Sequence, residues 1–81
     1  MTRSIELYGR LRDAGLGTSV SVALPERATA RQALAALKKA LGRRAALLAG
    51  CALATGDEVL APSDAVPARG RLAALPPVCG G

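Results

Sequence analysis

The sequence predicts a small α+β domain in which one main helix packs across a mixed sheet of four to five strands. Three observations carry that reading. Two early stretches alternate polar and apolar residues, the next carries a capped helical stripe, and the second half returns to short apolar runs separated by turn residues. At 81 residues only one domain fits, and a chain of this size hides only about 60% of the surface its unfolded form exposes. The core is also thinner than the 51% apolar content suggests, because 18 of those residues are alanine, which adds helix propensity more than buried area.

The first strand is Ser4-Ile5-Glu6-Leu7-Tyr8, alternating as a strand with one buried face does, and Gly9 interrupts it. Leu11 to Gly17 mixes glycines and charges and reads as a connecting turn. Thr18 to Leu24 alternates again, with Val20, Val22 and Leu24 on one face, until Pro25 ends it. A glycine-containing loop between two such strands favours an antiparallel hairpin. Thr29 followed by Gln32 fits a capping box, each residue satisfying the other's backbone amide. From there Ala30, Ala33, Leu34, Leu37, Ala40 and Leu41 form the apolar stripe of a helix, Arg31, Lys38 and Lys39 lie off it, and Gly42 is placed to end it. Arg43 to Ala49 predicts a further short helical turn, with Leu47 and Leu48 covering the core's edge. Cys51 to Ala54 is a strand closed by the turn Thr55-Gly56-Asp57, and Glu58 to Leu60 is its short partner. Ala61 to Gly70, with Pro62 and Pro67, is a surface connection leading to a last strand, Arg71 to Leu75. That last strand is expected centrally, beside the first, because both are the better apolar runs.

Composition excludes several functions. With no histidine there is no Ser-His-Asp or Cys-His nucleophile pair, no His-ligated zinc and no imidazole acid or base near neutrality. Two cysteines cannot assemble a Cys-His site, so no metal is expected. Stacking on nucleic-acid bases has only Tyr8 to use. The net charge of +5 is spread along the chain, with adjacent pairs only at Lys38-Lys39 and Arg43-Arg44, which reads as a solvated surface and not as a nucleic-acid footprint. No stretch has the form of a signal peptide, and the uncharged run Ala45 to Gly56 is too short to span a bilayer. A cytoplasmic protein with no membrane association and with reduced thiols is the expectation.

The end of the sequence carries the sharpest chemical signal. Leu75 is followed by Pro76-Pro77-Val78-Cys79-Gly80-Gly81. Two successive prolines remove two amide donors and fix φ near −65°, so sheet pairing stops and the backbone continues stiff and extended. Six residues at about 3.1 Å each reach roughly 19 Å, enough to enter another protein's active site. Gly80 and Gly81 bring no side chains, so such a thread can pass a narrow tunnel and present its terminal carboxylate. Residues 1–75 are thus expected to form the domain and 76–81 an extended tail.

Leu75 to Gly81 resembles the ending of the small subunit of molybdopterin synthase, a ubiquitin-like sulfur carrier of β-grasp fold related to the carrier of thiamine biosynthesis. Leu7-Tyr8-Gly9-Arg10-Leu11-Arg12-Asp13-Ala14-Gly15 is similar to that family's first strand and following loop, and Leu24-Pro25-Glu26 with Ala28-Thr29 to its entry into the helix. The resemblance implies a carrier that binds no cofactor itself and is not catalytic alone. An adenylating partner of the ubiquitin-activating type would use ATP to turn the Gly81 carboxylate into an acyl-adenylate. A sulfur donor would then displace AMP and leave a thiocarboxylate. The large synthase subunit, in a complex of two small and two large subunits, would receive the tail and direct sulfur onto a cyclic pyranopterin precursor of the molybdenum cofactor. Gly81 would carry the sulfur, Gly80 would fit the channel, and Leu75, Pro76, Pro77, Val78 and Cys79 would aim the tail and contact the partner.

The chain departs from that family's pattern in three places. Leu75 stands where many relatives have an aromatic, and Ala68-Arg69-Gly70-Arg71 replaces a usually acidic turn. Cys79 fills a slot usually held by Ser, Thr or Ala, either as a small substitute or as a thiol that takes part in persulfide or disulfide chemistry. Cys51, within an apolar strand, reads as a core residue. Alternatives for the whole chain are a carrier serving thiamine or cysteine synthesis, a ubiquitin-like modifier joined to target lysines through Gly81, and a plain binding module that exploits the basic charge.

Overall fold

The structure, a computed structural model, describes residues 1–9, 11–12, 17–56 and 58–76. The element order is β1 (Thr2–Leu7), β2 (Ser19–Ala23), α1 (Ala30–Leu41), a 3₁₀ segment (Gly42–Leu48), β3 (Ala52–Thr55), β4 (Glu58–Val59) and β5 (Leu72–Leu75). The strands form one five-stranded sheet in the order β2-β1-β5-β3-β4. β5 therefore lies centrally beside β1, as expected, and the two run parallel, while every other pairing is antiparallel. The β1–β2 hairpin extends two residues further toward the start of the chain than alternation indicated, because Thr2 and Arg3 find partners in Ala23 and Val22. Asp57, placed in the β3–β4 turn by the sequence, lies outside the described residues.

Alternation along β1 turns Ile5 and Leu7 toward the helix, and the parallel register brings Leu72 and Ala74 of β5 onto the same face. Val22 and Leu24 from the hairpin, Leu53 from β3 and Leu37 from α1 complete that layer. The large side chains that lose all contact with water are Ile5, Leu7, Leu11, Leu37, Leu53 and Leu72. Around them the core is closed with Ala28, Ala30, Ala33 and Ala74, so few residues supply most of its buried area.

The capping box forms in full. Gln32 donates its amide to the Thr29 hydroxyl at 3.2 Å, and Thr29 donates its own amide to Gln32 Oε1 at 2.8 Å. Of the predicted stripe, Ala30, Ala33 and Leu37 are buried, and Leu34 and Leu41 are half-buried. Ala40 is exposed, contrary to its place in the stripe. It lies on the flank where α1 passes β2, and one methyl is too short to close the gap there. Gly42, at φ 56°, returns its amide to the Lys38 carbonyl and turns the chain into the 3₁₀ segment, whose Leu48 reaches the core while Leu47 packs half-buried at its edge.

The connection from Ala61 to Gly70 does more than cross the surface. The first amides of a helix have no partner within it, and here Ala30 donates to the Asp64 carbonyl at 2.9 Å and Arg31 to the Pro62 carbonyl at 3.0 Å. Val66 donates to the Ala28 carbonyl at 2.8 Å and is itself buried. The Asp64 side chain holds the turn by accepting the Ala61 amide at 2.8 Å. Farther along, the half-buried Arg3 guanidinium of β1 donates to the Pro67 and Gly70 carbonyls and so ties the loop down just before β5. Arg3, one of the scattered basic residues of the sequence, thus has structural partners.

Candidate functional site: the exit of the tail

β5 carries the chain from the centre of the sheet into the tail. The parallel register pairs Leu7 with Ala74, which sets Tyr8 beside Leu75 and Gly9 beside Pro76. Leu75 and Pro76 are both half-buried. Gly9 has φ 59°, a left-handed conformation that side chains disfavour, and a Cβ built on it would lie 2.9 Å from Pro76 Cγ. Two independent constraints therefore require glycine where the first strand meets the tail's first proline. Gly9→Ala should lower stability by about 1–2 kcal/mol from the forced left-handed backbone alone, with the displaced proline adding to it. Thermal unfolding of the variant checks this, and a melting curve equal to the parent's would count against the contact.

A polar cluster borders the exit. The Tyr8 hydroxyl donates to Glu6 Oε1 at 2.8 Å, Arg71 Nε stands 3.4 Å from Glu6 Oε2, and the Arg12 guanidinium lies 5.5 Å from the centre of the Tyr8 ring. The Arg71–Glu6 pair is exposed to solvent and contributes little stability. The Glu6 carboxylate raises the Tyr8 phenol above its ordinary value of 10.0, first by accepting its hydrogen bond and then by its charge, against a smaller opposing pull from Arg71 and Arg12. The folded state thus favours the protonated phenol. That contribution to stability is present below the ordinary tyrosine value and is lost as pH rises through it toward the raised one. Because Tyr8 is the sole tyrosine, phenolate absorbance reads this group alone. Its midpoint should sit above that of free tyrosine and fall in Glu6→Gln; an unmoved midpoint in that variant would refute the assignment.

On the helix-free face, Leu75 is followed across the sheet by Ala52, while Ala73 aligns with Ala54 and Val59. Val59 is 60% exposed and Ala52, Ala73 and Leu75 are half-buried, while Ala54 between them is covered and Glu6 flanks Ala73 on the other side. Of the predicted tail and partner-contact residues, Leu75 and Pro76 are placed at the exit, whereas Pro77, Val78, Cys79, Gly80 and Gly81 lie outside the described residues. Cys51 packs against the core as expected, but not from within the strand. It precedes β3 and is half-buried, with its Sγ 3.6 Å from the Leu47 carbonyl, because the turn after the 3₁₀ segment delays the strand by one residue. Among the described residues no cluster of acids and cysteines could hold a metal ion, and no helix is long and apolar enough to cross a membrane. The sequence reading missed Glu6, Arg12 and Arg71 as neighbours of the exit. The signal lay in Gly9, whose break in the first strand marks the point where the tail passes.

A helix packed across a five-stranded mixed sheet, with the last strand parallel to the first at its centre, defines a ubiquitin-like β-grasp domain. No protein-family model matches the chain, and no curated protein is significantly similar to it. Among solved structures, SAMP1 from Haloferax volcanii matches with a TM-score of 0.75 at 25% identity, with both chains covered in full. A second structure of that organism's small archaeal modifier protein 1 matches at 0.74 and 24% identity, over 95% of this chain and 98% of the other. A protein described as molybdopterin converting factor, subunit 1, from Pyrococcus furiosus matches at 0.76 and 15% identity, over 96% and 99%, a likeness of fold. The β-grasp fold fits the family that includes the small subunit of molybdopterin synthase and the thiamine sulfur carrier.

Proposed function

We propose that the chain is a ubiquitin-like sulfur carrier that serves as the small subunit of a molybdopterin synthase. The observation that carries the reading is the seat of Pro76 on Gly9 at the end of the central strand, which gives the last residues a fixed point of departure. Beyond it the sequence supplies a second proline and a side-chain-free Gly80-Gly81 end, suited to deliver one carboxylate into a tunnel on a partner. A carboxylate resists nucleophilic attack because its charge is delocalised. Adenylation by a partner converts the Gly81 carboxylate and ATP to a mixed anhydride and pyrophosphate, and a donor of sulfur at the sulfide level displaces AMP to leave the thiocarboxylate. That group is a competent sulfur nucleophile at neutral pH. The large subunit positions it against the pyranopterin precursor. The half-buried Leu75 and Ala73 adjoin the exit and, with the exposed Val59, offer apolar surface to these partners.

A second reading is favoured by the full-length likeness to SAMP1: the same activated Gly81 could join a lysine amine on another protein. Incubating the chain with ATP, an adenylating enzyme and a sulfur donor, then weighing it intact, separates the two. Exchange of one oxygen for sulfur supports the carrier, conjugates on other proteins support the modifier, and an unchanged mass overturns both. Co-purification with a large synthase subunit would fix the molybdopterin assignment over thiamine or cysteine synthesis.

A further inference from the structure

We infer that the outer face of α1, with the start of the 3₁₀ segment, binds the phosphate backbone of a nucleic-acid duplex independently of its sequence. Along the chain the positive charge is scattered and reads as a solvated surface, but the two layers of the fold sort it. Residues 27–48, which make the helix layer, hold six of the eleven Lys and Arg and none of the six acids. The rest of the chain sets five Arg against those six acids, so the whole excess of positive charge belongs to the helix side. Arg31, Lys38, Lys39 and Arg43 are exposed there and form no ion pair with any described residue.

These four lie along one stretch of surface. Arg31 and Lys38 are seven residues apart in α1, two turns of helix, and share a line off the buried stripe of Ala30, Ala33 and Leu37. Lys39 follows, and Gly42, bonded back to the Lys38 carbonyl, sets Arg43 just beyond the helix end. Acids come near only at the other end, where Asp64 lends its carbonyl to Ala30 and Glu26 precedes the cap. The helix dipole puts about half a negative charge at the Lys38–Arg43 end, several times less than the three cations there supply.

The composition of the face selects its partner. A lipid surface would need a large apolar face turned outward, and a protein interface an apolar centre. The exposed residues of α1 are Arg31, Gln32, Ala35, Lys38, Lys39 and Ala40, which supply neither. A single strand is gripped by stacking on aromatics, and the sole aromatic, Tyr8, is in the sheet layer, hydrogen-bonded to Glu6. A duplex needs only cations: along the roughly 18 Å of α1 it carries about ten phosphate charges, enough to engage all four. The tail leaves from the sheet layer, so the inference does not rest on the sulfur chemistry.

Anisotropy titrations of labelled mixed-sequence duplexes, one of DNA and one of RNA, with the full chain test this. With four phosphates engaged, log K against log salt should fall with a slope of about −3.6, a loss of roughly 150-fold in affinity between about 50 and 200 mM salt. The tighter of the two duplexes names the source. Lys38→Gln with Arg43→Gln should bring the slope to about −1.8. Arg12→Gln with Arg71→Gln removes the same net charge from the sheet layer and should leave the slope unchanged. Amide NMR with the duplex should place the shifts on residues 31–48. The inference is overturned if the sheet-layer pair lowers the slope as much as the helix pair, or if the parent's own slope is shallower than about −1. Phosphatidylserine vesicles or polyglutamate binding as tightly as the duplex, or a tenfold preference between two unrelated duplex sequences, would overturn it as well.

Discussion

Removing Gly81 alone should abolish sulfur loading and sulfur transfer while leaving the domain folded. The shortened chain still ends in a glycine carboxylate, on Gly80, so its intrinsic chemistry is preserved. What changes is reach, by about 3.1 Å in an extended tail. A misplacement of 1 Å at a reacting centre can cost on the order of 100-fold, so a deficit three times as large would leave the carboxyl short of the reacting centres of the proposed adenylating and sulfur-accepting partners. Intact-mass measurement after loading should show no sulfur-bearing species. The unfolding curve should match the parent's, since the described core ends at β5. Loading of the shortened chain at the parent rate would refute the assignment of Gly81, and a lower melting temperature would show that the tail contributes to the fold.

The largest expected loss of stability from a single substitution is Leu72→Ala. Leu72 is fully buried in the central strand, paired with Ile5 on one side and Thr55 on the other, so its neighbours are fixed by two ladders and cannot collapse into the space. Truncating such a leucine costs about 2–5 kcal/mol through lost transfer energy and the cavity left behind. Whole domains are stabilised by only about 5–15 kcal/mol, and small ones bury proportionally less surface. At about 4–8 °C per kcal/mol for a domain of this size, the midpoint should fall by roughly 8–40 °C. Leu72→Met keeps the volume and should cost less than about 1.5 kcal/mol. Chemical denaturation of the pair checks the claim, and equal midpoints would show that shape at this position matters less than the burial indicates.

Much of this architecture was legible because the signals are local. Alternation around Val20 and Val22 marked a strand, and the Thr29–Gln32 spacing marked the helix start, since each depends on residues within one turn or one pleat. The structure departs from the sequence reading where partners are distant or are backbone groups. Nothing in Pro62 or Asp64 announces that their carbonyls will serve the helix amides, because every residue carries a carbonyl. Ala40 shares the periodicity of the buried stripe, and only the position of β2 decides that it meets a groove. The placement of the last strand followed from its apolar character, and with it the point from which the tail starts, but the contact between Gly9 and Pro76 joins opposite ends of the chain. Leu75 and Pro76 of the predicted site are thereby located, and the tail beyond them rests on its residue chemistry.

The central place of β5 also governs the order in which the molecule can be assembled. Without it the sheet falls into two hairpins, β1 with β2 and β3 with β4, joined by no ladder. The ladders that unite them close very long loops, as where Ile5 pairs with Leu72 across most of the chain. Contacts of that separation carry a large entropic cost before they are rewarded, so they form late and slowly. The strand that completes the fold is the one that runs into the tail, and its insertion is what brings Pro76 to Gly9. A chain with its sheet half made therefore has no seated exit, and the point from which the tail departs exists only in finished molecules.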